Sequence, residues 1–592
     1  MSEKPKRVEH QKLPREVIRA LQDVVGPEWV SEDRAVVEAY TLFTIYLGSF
    51  LRKHTRDPSL LPSCVVLPSS TEEVQAIVKI ANRYNIPFAA FNNGQVMNSP
   101  VYPKTIFIHL ARMDKILDID EENMSMTIQP FVDYVTIQAE ARKRGLWNGG
   151  SGWHSATAKP ASQFTSAGLW QTDLKYQGLS RNVLGIKVVL PTGEIVNMGS
   201  HAVVGTGKYS FTERFPGPKL MGLIKNSFGT RGIITEITIK LHPWVGGAFL
   251  PEDTGRPSIA HYYEEAKQQK FDNPPPPKRY KLYWFEYPNL ETLVEGLLKI
   301  ARSGIGIGLN ASGFYFAMMC ARTSMEARKR IEQQLVPPYV GYVVIAGISC
   351  EDQIKYEEKV LKQILEETGG RLLSEEYKPE VLKAVTPWNL EFAVNTVTGM
   401  RTVRDWYLTT SITPYAPFYS AIDARDVWAE AMKKIGPTHD LFSPLGAICP
   451  YLYIVDRGHQ IETEIDQFPK RNDFKQLLAT LESFGFLKST FIKKLYYGSW
   501  MEVPGEPFAS SYPETGPNMY LIWRKYRKVF DPKGLMMARR AILSDEEFKK
   551  AQIEKPGGAV RTFRKWREIL GLPKLKPTPD KTAWEYPAEP SE

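Results

Sequence analysis

The chain has 592 residues, of which 43% are hydrophobic and 24% are charged, and its formal net charge is +9. A chain of this length is too long to fold around a single hydrophobic core, so we expect a globular protein of two or more domains. Its runs of basic residues, such as Lys493-Lys494, are short, which argues against a nucleic-acid partner because phosphate binding needs clustered cations. It lacks an 18-residue apolar stretch and an apolar N-terminal segment, so we expect neither a membrane span nor a signal peptide.

The cysteines are too far apart for a CxxC motif, so no metal or cluster site is expected. They are Cys64, Cys320, Cys350 and Cys449. Scattered thiols of this kind fit a reducing compartment. We therefore expect a cytoplasmic protein.

The first part of the chain is predicted to contain helices and short strands. Residues 14–62 form a helical lead-in, and a strand at Cys64 precedes a helix that Ser70 and Glu73 start as a capping box. The helix has apolar residues at i, i+3, i+4 and i+7, which predicts one buried face: Val74, Ile77, Val78 and Ala81. The elements that follow are strands at 86–91, 105–110 and 124–130 and a helix over Tyr134–Arg144 that stops at Gly145.

The most informative stretch is 182–242. Two apolar strands flank Thr192-Gly193, which predicts a hairpin. A turn from Gly229 to Gly232 then leads into a strand of alternating apolar residues.

After the proline run at 274–277 the pattern changes to alternating strands and helices, which indicates a sheet with helices on one face. Strands are predicted at Phe314–Cys320 and Tyr342–Ile348, and helices at Ser324–Leu335 and Glu351–Thr368. Near the end, a helix over Pro517–Val529 precedes the turn sequence Phe-Asp-Pro-Lys-Gly-Leu at 530–535. Residues 573–592 are rich in proline and predict an irregular tail.

The 182–242 order and the 530–535 turn resemble the vanillyl-alcohol oxidase and p-cresol methylhydroxylase (PCMH-type) superfamily of FAD-dependent oxidoreductases. The resemblance implies an α+β fold with a PCMH-type two-subdomain FAD-binding domain and an α/β cap, or substrate, domain. The implied divisions are a helical lead-in at 1–60, the FAD-binding domain at 61–245, the cap at 246–510, a C-terminal return at 511–545 and a proline-rich tail at 546–592.

The resemblance also implies where FAD binds, because glycine-rich and small-residue turns let backbone amides approach phosphate. One turn follows the strand at 86–91, with one glycine where the family has several and without the family's arginine. A second turn lies near 160–173, and a third opens the strand after Gly232. The implied contacts are Phe91, Asn92, Asn93, Gly94, Gln95, Ser162, Thr165, Ser166, Ala167, Gly168, Asp173, Gly232, Ile233 and Ile234.

By the same resemblance, Arg540 places a cation near the flavin N1–C2 carbonyl edge, with Arg539 as the alternative. Family members often bind flavin covalently through histidine or tyrosine. The corresponding stretch here contains Tyr496 and Tyr497 but no histidine, so noncovalent FAD is favoured and a tyrosyl link stays open. His154 and His459 are other possible tethers.

The expected catalytic residues are Tyr512, Tyr497 and Trp500. Phenol-oxidising relatives hold a phenolate with two tyrosines and an arginine, and the arginine position here is Pro513. Tyr451 and Tyr453 could line an aromatic pocket together with Trp500.

The implied activity is hydride transfer from an activated C–H of a small alcohol, alkylphenol or hydroxy acid to flavin N5. Oxygen or an electron-carrier protein would reoxidise the flavin. The family forms homodimers or larger assemblies, so a homodimer is expected. Two alternatives stay open: a non-catalytic or electron-relay subunit of a redox complex, and a hydroxy-acid dehydrogenase coupled to an iron–sulfur subunit.

Overall fold

The structure is a computed structural model that describes residues 10–41, 61–92, 104–150, 158–247, 279–313, 337–377, 410–435, 450–467 and 517–537, without residues 167, 169, 215, 228, 375, 413 and 414 and with residues 316 and 333. Helices and strands of these ranges form a mixed α+β fold, which confirms the predicted class. Of the described helices, none has the length and apolar character needed to cross a membrane.

The first sheet has the strand order β1-β2-β4-β3, in which β2 and β3 both run parallel to β4. Its elements are α1 (Arg15–Val25), β1 (Val30–Ser31), α2 (Arg34–Thr41), β2 (Cys64–Val66), α3 (Thr71–Arg83), β3 (Phe88–Phe91) and β4 (Ile106–His109). The predicted apolar face of α3 is fully buried, and Ser70 caps this helix by accepting a hydrogen bond from the amide of Glu73. The predicted lead-in is more than helical, because β1 pairs with β2 and so extends this sheet.

The second sheet is antiparallel, with the order β5-β6-β10-β8-β9, and a separate two-stranded pair joins β7 and β11. Its elements are β5 (Ile116–Asp120), β6 (Ser125–Ile128), α4 (Tyr134–Arg142), β7 (Leu146–Trp147), α5 (Pro160–Phe164), α6 (Asp173–Tyr176), β8 (Val183–Val189), β9 (Ile195–Gly199), β10 (Ile233–Lys240) and β11 (His242–Pro243). The predicted hairpin is confirmed: β8 and β9 pair in antiparallel register around Gly193, whose φ of 99° needs glycine.

The third sheet has the order β15-β12-β14-β13-β18-β19-β16, with β17 also paired to β19. Its elements are β12 (Tyr280–Glu286), α7 (Leu290–Ser303), β13 (Gly308–Ala311), β14 (Val340–Ala346), α8 (Asp352–Thr368), β15 (Arg371–Leu372), β16 (Thr410–Ile412), β17 (Tyr415–Ala416), α9 (Ser420–Ile435), β18 (Tyr451–Val455) and β19 (Gln460–Gln467). Alternate strand residues, among them Phe285, Val343 and Leu452, share one core with the apolar residues of α7 and α8. The strands therefore present one face to these helices and the other face away from them.

The strand predicted at Phe314–Cys320 is wrong at its one described residue. Phe316 is helical, and its amide donates to the carbonyl of Ser312 at 3.0 Å. The strand lies earlier, at Gly308–Ala311, where the sequence pattern predicts none. Gly308 is required there, since a Cβ atom would lie 2.5 Å from the carbonyl oxygen of Gln171.

The last described helix, α10 (Pro517–Phe530), ends one residue beyond its predicted bound. The Asp531 carboxylate then accepts hydrogen bonds from the amides of Leu535 (2.9 Å) and Met536 (3.1 Å). The turn is therefore held by its own side chain. It returns the chain to β3, where Phe88 donates to the carbonyl of Leu535 at 3.0 Å and accepts from the amide of Met537 at 2.8 Å.

Candidate functional site

The first predicted cofactor segment begins where β3 ends. Phe91 is buried, and the side-chain nitrogen of Asn92, Nδ2, donates to the carbonyl of Pro130 at 2.6 Å. The Asn92 Oδ1 atom is buried and has no hydrogen-bond partner. A buried acceptor of this kind needs a donor, and a bound ligand can supply one. Asn93, Gly94 and Gln95 lie outside the described residues.

An aromatic cluster lies next to Phe91 and includes a histidine that the sequence did not single out. The His109 ring at the end of β4 is centred 5.3 Å from the Phe91 ring and 5.6 Å from the Phe131 ring. Burial lowers the pKa of His109 to about 4, so this ring is neutral at physiological pH. Its Nδ1 atom accepts from the amide of Ala111 at 3.3 Å, which places the ring proton on Nε2.

Lys159 is a buried cation that lies against Phe131 of this aromatic cluster, and the sequence did not single it out. Its side chain is 7% exposed, and Nζ lies 3.4 Å from Asp133 Oδ2 and 4.4 Å from the centre of the Phe131 ring. Burial lowers the pKa of Lys159, and Asp133 opposes that shift. The available signal was its position in an otherwise small and apolar run, Ala158-Lys-Pro-Ala161.

The second predicted segment is α5 and the turn after it. The hydroxyl groups are used locally: Thr165 donates to the carbonyl of Ser162 at 3.0 Å, and Ser166 donates to that of Gln163 at 3.3 Å. Gly168 has a φ of 64°, and a Cβ atom there would lie 3.1 Å from the carbonyl oxygen of Gln163. Gly168 therefore suits this position for two reasons, its left-handed backbone and the close approach of Gln163. Ala167 lies outside the described residues.

The third predicted segment opens β10. Ile233 is buried in the core that contains Phe88, and Ile234 in the core that contains Phe164. Both side chains are committed to packing, which leaves only backbone groups for a ligand. Pairing with β6 starts at Ile237, so residues 233–236 pair with β8 on one side and have no other strand partner among the described residues.

Asp173, also a predicted cofactor contact, faces the third sheet. Its Oδ1 atom accepts from the amide of Asp456 at 2.7 Å, and Gln177 donates to the Asp456 carboxylate at 3.1 Å. Burial raises the pKa of Asp173 to about 7. The neighbouring residue Leu174 belongs to the core of the third sheet. Residues 171–177 therefore join the second sheet to the third.

These contacts bring the three predicted segments together. Residues 130–133 touch both Asn92, through Pro130, and Lys159, through Phe131 and Asp133. The β10 start joins the cores that hold β3 and α5. The predicted residues Tyr497, Trp500, Tyr512 and Arg540, the alternatives Arg539 and Tyr496, and His154 lie outside the described residues. His459 is exposed at the turn between β18 and β19.

The third sheet presents a row of buried side chains on the face away from its helices. Strand register places them side by side across five neighbouring strands: Trp284, Tyr342, Asn310, Tyr453 and Glu462. None is more than 4% exposed. Tyr451, one of the two tyrosines predicted to line an aromatic pocket, lies on the same face, with its ring centred 3.9 Å from that of Tyr453. We call the five residues aligned across the strands, without Tyr451, the polar row: Trp284, Tyr342, Asn310, Tyr453 and Glu462.

Two features of the junction between the first two sheets bear on cofactor binding. Asn92 Oδ1 is a buried acceptor without a hydrogen-bond partner, and residues 233–236 have, among the described residues, no strand partner on the side opposite β8. Among the described residues, no group of three His, Cys, Asp or Glu side chains is placed to hold a metal ion.

Residues 62–199 match a family described as FAD binding domain. Curated relatives include a probable mitochondrial D-lactate dehydrogenase of Danio rerio, 28% identical over 38% of this chain and 42% of the relative. Glycolate oxidase subunit GlcD of Bacillus subtilis is 30% identical over 39% of this chain and 46% of the relative. The chain thus matches less than half the length of each of these relatives.

Solved structures match over more of the chain. A 4-ethylphenol oxidase from Gulosibacter chungangensis has a TM-score of 0.68 at 18% identity, covering 90% of this chain and 97% of that one. Substrate-bound p-cresol methylhydroxylase has a TM-score of 0.66 at 16% identity, covering 89% and 96%. The matched FAD binding domain together with this shared fold confirms the predicted resemblance to the PCMH-type FAD-dependent oxidoreductase superfamily.

Proposed function

We propose that this protein is an FAD-dependent oxidoreductase acting on a small alcohol, alkylphenol or hydroxy acid. The observation that carries the proposal is the FAD binding domain match at 62–199, whose segments meet the first residues of β10 in the fold. When bound, FAD supplies the hydride acceptor, N5 of its ring system.

Several residues would hold the cofactor. Asn92 Oδ1 offers an acceptor, and the turn at Gly168 and the free edge at 233–236 offer backbone groups. Lys159 supplies a buried positive charge near the Asn92 segment and compensates for the arginine missing from the 92–98 loop. A desolvated lysine interacts strongly with an anion because water does not screen it. Arg540 remains the proposed cation for the flavin ring, since Met537 brings the chain to the edge of β3 just before it.

The third sheet would act as the substrate domain. The segment 171–177 fixes it against the flavin-binding part in two places. The backbone amide of Asp456 donates to the Asp173 carboxylate, and the backbone amide of Lys175 donates to the carbonyl of Ile307 at 3.2 Å. Fixed domains hold the substrate carbon at a constant position relative to the cofactor, and a close approach of reactants lowers the barrier. The buried inner face also keeps water away from the reacting groups. Tyr497, Trp500 and Tyr512 are proposed to complete this pocket.

The relatives suggest two substrate classes. The curated relatives are named for D-lactate and glycolate, whereas the solved structures are named for 4-ethylphenol and p-cresol. A hydroxy-acid dehydrogenase that passes electrons to a protein partner is therefore the second candidate. Noncovalent FAD, a cytoplasmic location, a homodimer, and oxygen or an electron carrier as acceptor complete the proposal.

The full-length protein tests it through its flavin spectrum. Purified protein should bind FAD. Anaerobic addition of a substrate should then bleach the absorbance of the oxidised flavin at about 450 nm, a wavelength that the cofactor sets. Oxygen uptake against dye reduction then separates oxidase from dehydrogenase. A folded protein that binds no FAD would refute the proposal and favour a non-catalytic subunit. FAD that no alcohol, phenol or hydroxy acid reduces would favour an electron relay.

A further inference from the structure

We propose that the outward side of α10 docks on an anionic lipid membrane, so that the protein lies on the bilayer surface without crossing it. This side consists of six exposed residues that recur at helical spacing, and we call it the outer face of α10: Asn518, Leu521, Ile522, Lys525, Lys528 and Val529. The proposed function uses no residue of this helix, so the two proposals are independent.

The opposite side of α10 fixes the orientation of the helix. Trp523 is 6% exposed, and the Arg231 guanidinium lies 5.1 Å from the centre of its ring and 5.9 Å from the centre of the Tyr526 ring. Arg527 donates to the carbonyl of Gly534 at 3.2 Å, in the turn that follows the helix. The outer face therefore cannot rotate inward without breaking these contacts.

The outer face carries large aliphatic side chains in contact with water. Leu521 is 52% exposed, Ile522 is 53% exposed and Val529 is 70% exposed. A helix on the surface of a globular protein usually turns its polar residues to water and its apolar residues to the core. Aliphatic residues that alternate with lysines on the water side are instead typical of a helix that lies in the plane of a membrane interface.

The ionised side chains of α10 are all positive. Its 14 residues include four cations and no carboxylate: Arg524, Lys525, Arg527 and Lys528. The formal net charge of the whole chain is only +9, so positive charge is concentrated in this helix. Basic residues at an anionic membrane are attracted by its surface potential. The long lysine stems let the ammonium groups reach the lipid headgroups while Leu521 and Ile522 enter the acyl boundary.

The segment beside α10 adds to the positive charge. Arg231, which contacts Trp523, also donates to the carbonyl of Leu223 at 2.9 Å, so the residues before it lie next to the helix. Glu213 precedes this segment and pairs with Lys219 at 2.6 Å. Residues 214–231 themselves contain four cations and no carboxylate: Arg214, Lys219, Lys225 and Arg231. The surface around the outer face therefore has an excess of positive charge.

A membrane fits the outer face better than another protein does. In a symmetric dimer the same patch of both copies forms the interface, which would bring like-charged lysines together. Interfaces between different proteins are depleted of lysine and enriched in aromatic residues and arginine. The outer face has two lysines and no aromatic residue, because Trp523 and Tyr526 lie on the side of Arg231.

Vesicle flotation with the full-length protein tests the proposal. One set of vesicles contains phosphatidylcholine alone, and the other contains phosphatidylcholine with phosphatidylglycerol, which supplies the negative charge. Lys525→Gln combined with Lys528→Gln removes charge from the outer face, and Leu521→Ser combined with Ile522→Ser removes apolar surface. The matched control combines Lys355→Gln with Lys359→Gln, two exposed lysines on α8, a helix that also carries carboxylates.

We expect the wild-type protein to bind only the anionic vesicles and to be released at high salt, because salt screens the attraction. The variant without the two α10 lysines should bind about 25-fold more weakly, at about fivefold for each charge. The Leu521→Ser, Ile522→Ser variant should bind at least about tenfold more weakly at unchanged charge. The α8 variant should bind like the wild-type protein, and equal melting temperatures of all variants would separate membrane binding from folding.

Three results would overturn the proposal: no binding to the anionic vesicles, equal binding to both kinds of vesicle, or unchanged binding in either α10 variant. Sedimentation velocity tests the alternative occupant, a second copy of the chain. A wild-type dimer that the Leu521→Ser, Ile522→Ser change dissociates would assign the outer face to self-association instead. FAD binding and reduction are measured separately, so failure of one proposal is distinguished from failure of the other.

Discussion

Replacing Asp531 by alanine should loosen the C-terminal return and, through it, the strand that leads to the predicted cofactor loop. The Asp531 carboxylate is 5% exposed and accepts from the amides of Leu535 and Met536, two residues that are also buried. Each buried N–H left without an acceptor costs about 1–3 kcal/mol. Loss of both acceptors should therefore destabilise this turn by about 2–6 kcal/mol.

The same turn holds β3, because Phe88 exchanges backbone hydrogen bonds with Leu535 and Met537. Hydrogen–deuterium exchange followed by mass spectrometry measures this effect directly. For Asp531→Ala, the peptides that contain Phe88 and Met537 should exchange about 30-fold faster or more. Asp531→Asn keeps one acceptor oxygen and should lose about half of the stabilisation.

Lys533→Ala is the matched control, since the exposed Lys533 only donates to the carbonyl of Asn82 at the surface. Its exchange should stay close to that of the wild-type protein. Wild-type protection at Phe88 in Asp531→Ala would refute the reasoning, because it would mean that the return does not hold β3.

Three further outcomes follow from the site. Burial raises the pKa of Asp173 to about 7, so the folded protein holds this proton more tightly than the unfolded chain, in which an aspartate has a pKa of about 4. Stability is then lost as pH rises between about 4 and 7, by at most about 1.4 kcal/mol per pH unit, and Asp173→Asn should flatten this part of a stability–pH curve; an unchanged curve contradicts the assignment. Gly232→Ala should destabilise the folded protein by about 1–3 kcal/mol, because the new Cβ atom would lie 2.5 Å from the Val188 side chain. Gly229→Ala is the control: its Cβ atom would meet nothing within 4 Å, so it should cost only about 1 kcal/mol of backbone strain. Equal melting temperatures of the two variants would argue against the Val188 contact. Lys159→Gln should weaken FAD binding about tenfold with little change in melting temperature of the FAD-free protein, and equal FAD affinity in a fluorescence titration would remove Lys159 from the cofactor site.

Local sequence determined the elements whose signals are local. Residues 70–83 alone predict the cap and the buried face of α3. Hydrogen bonds between neighbouring residues and a 3.6-residue apolar period are enough to form this helix. The hairpin at Gly193 and the turn at Asp531 are set in the same way by glycine and by a side chain that bonds its own backbone. The PCMH-type resemblance rested on the stretch that contains this hairpin and on this turn.

Tertiary structure alone decided the rest. The sequence pattern predicts no strand at Gly308–Ala311, and only the close approach of Gln171 explains Gly308. Asp173 meets Asp456, which lies 283 residues away, so no local pattern could assign its role. The polar row comes from five strands whose order in the sheet differs from their order in the chain. Its members share a face because strand register aligns them, and register is a property of the folded sheet rather than of any one strand.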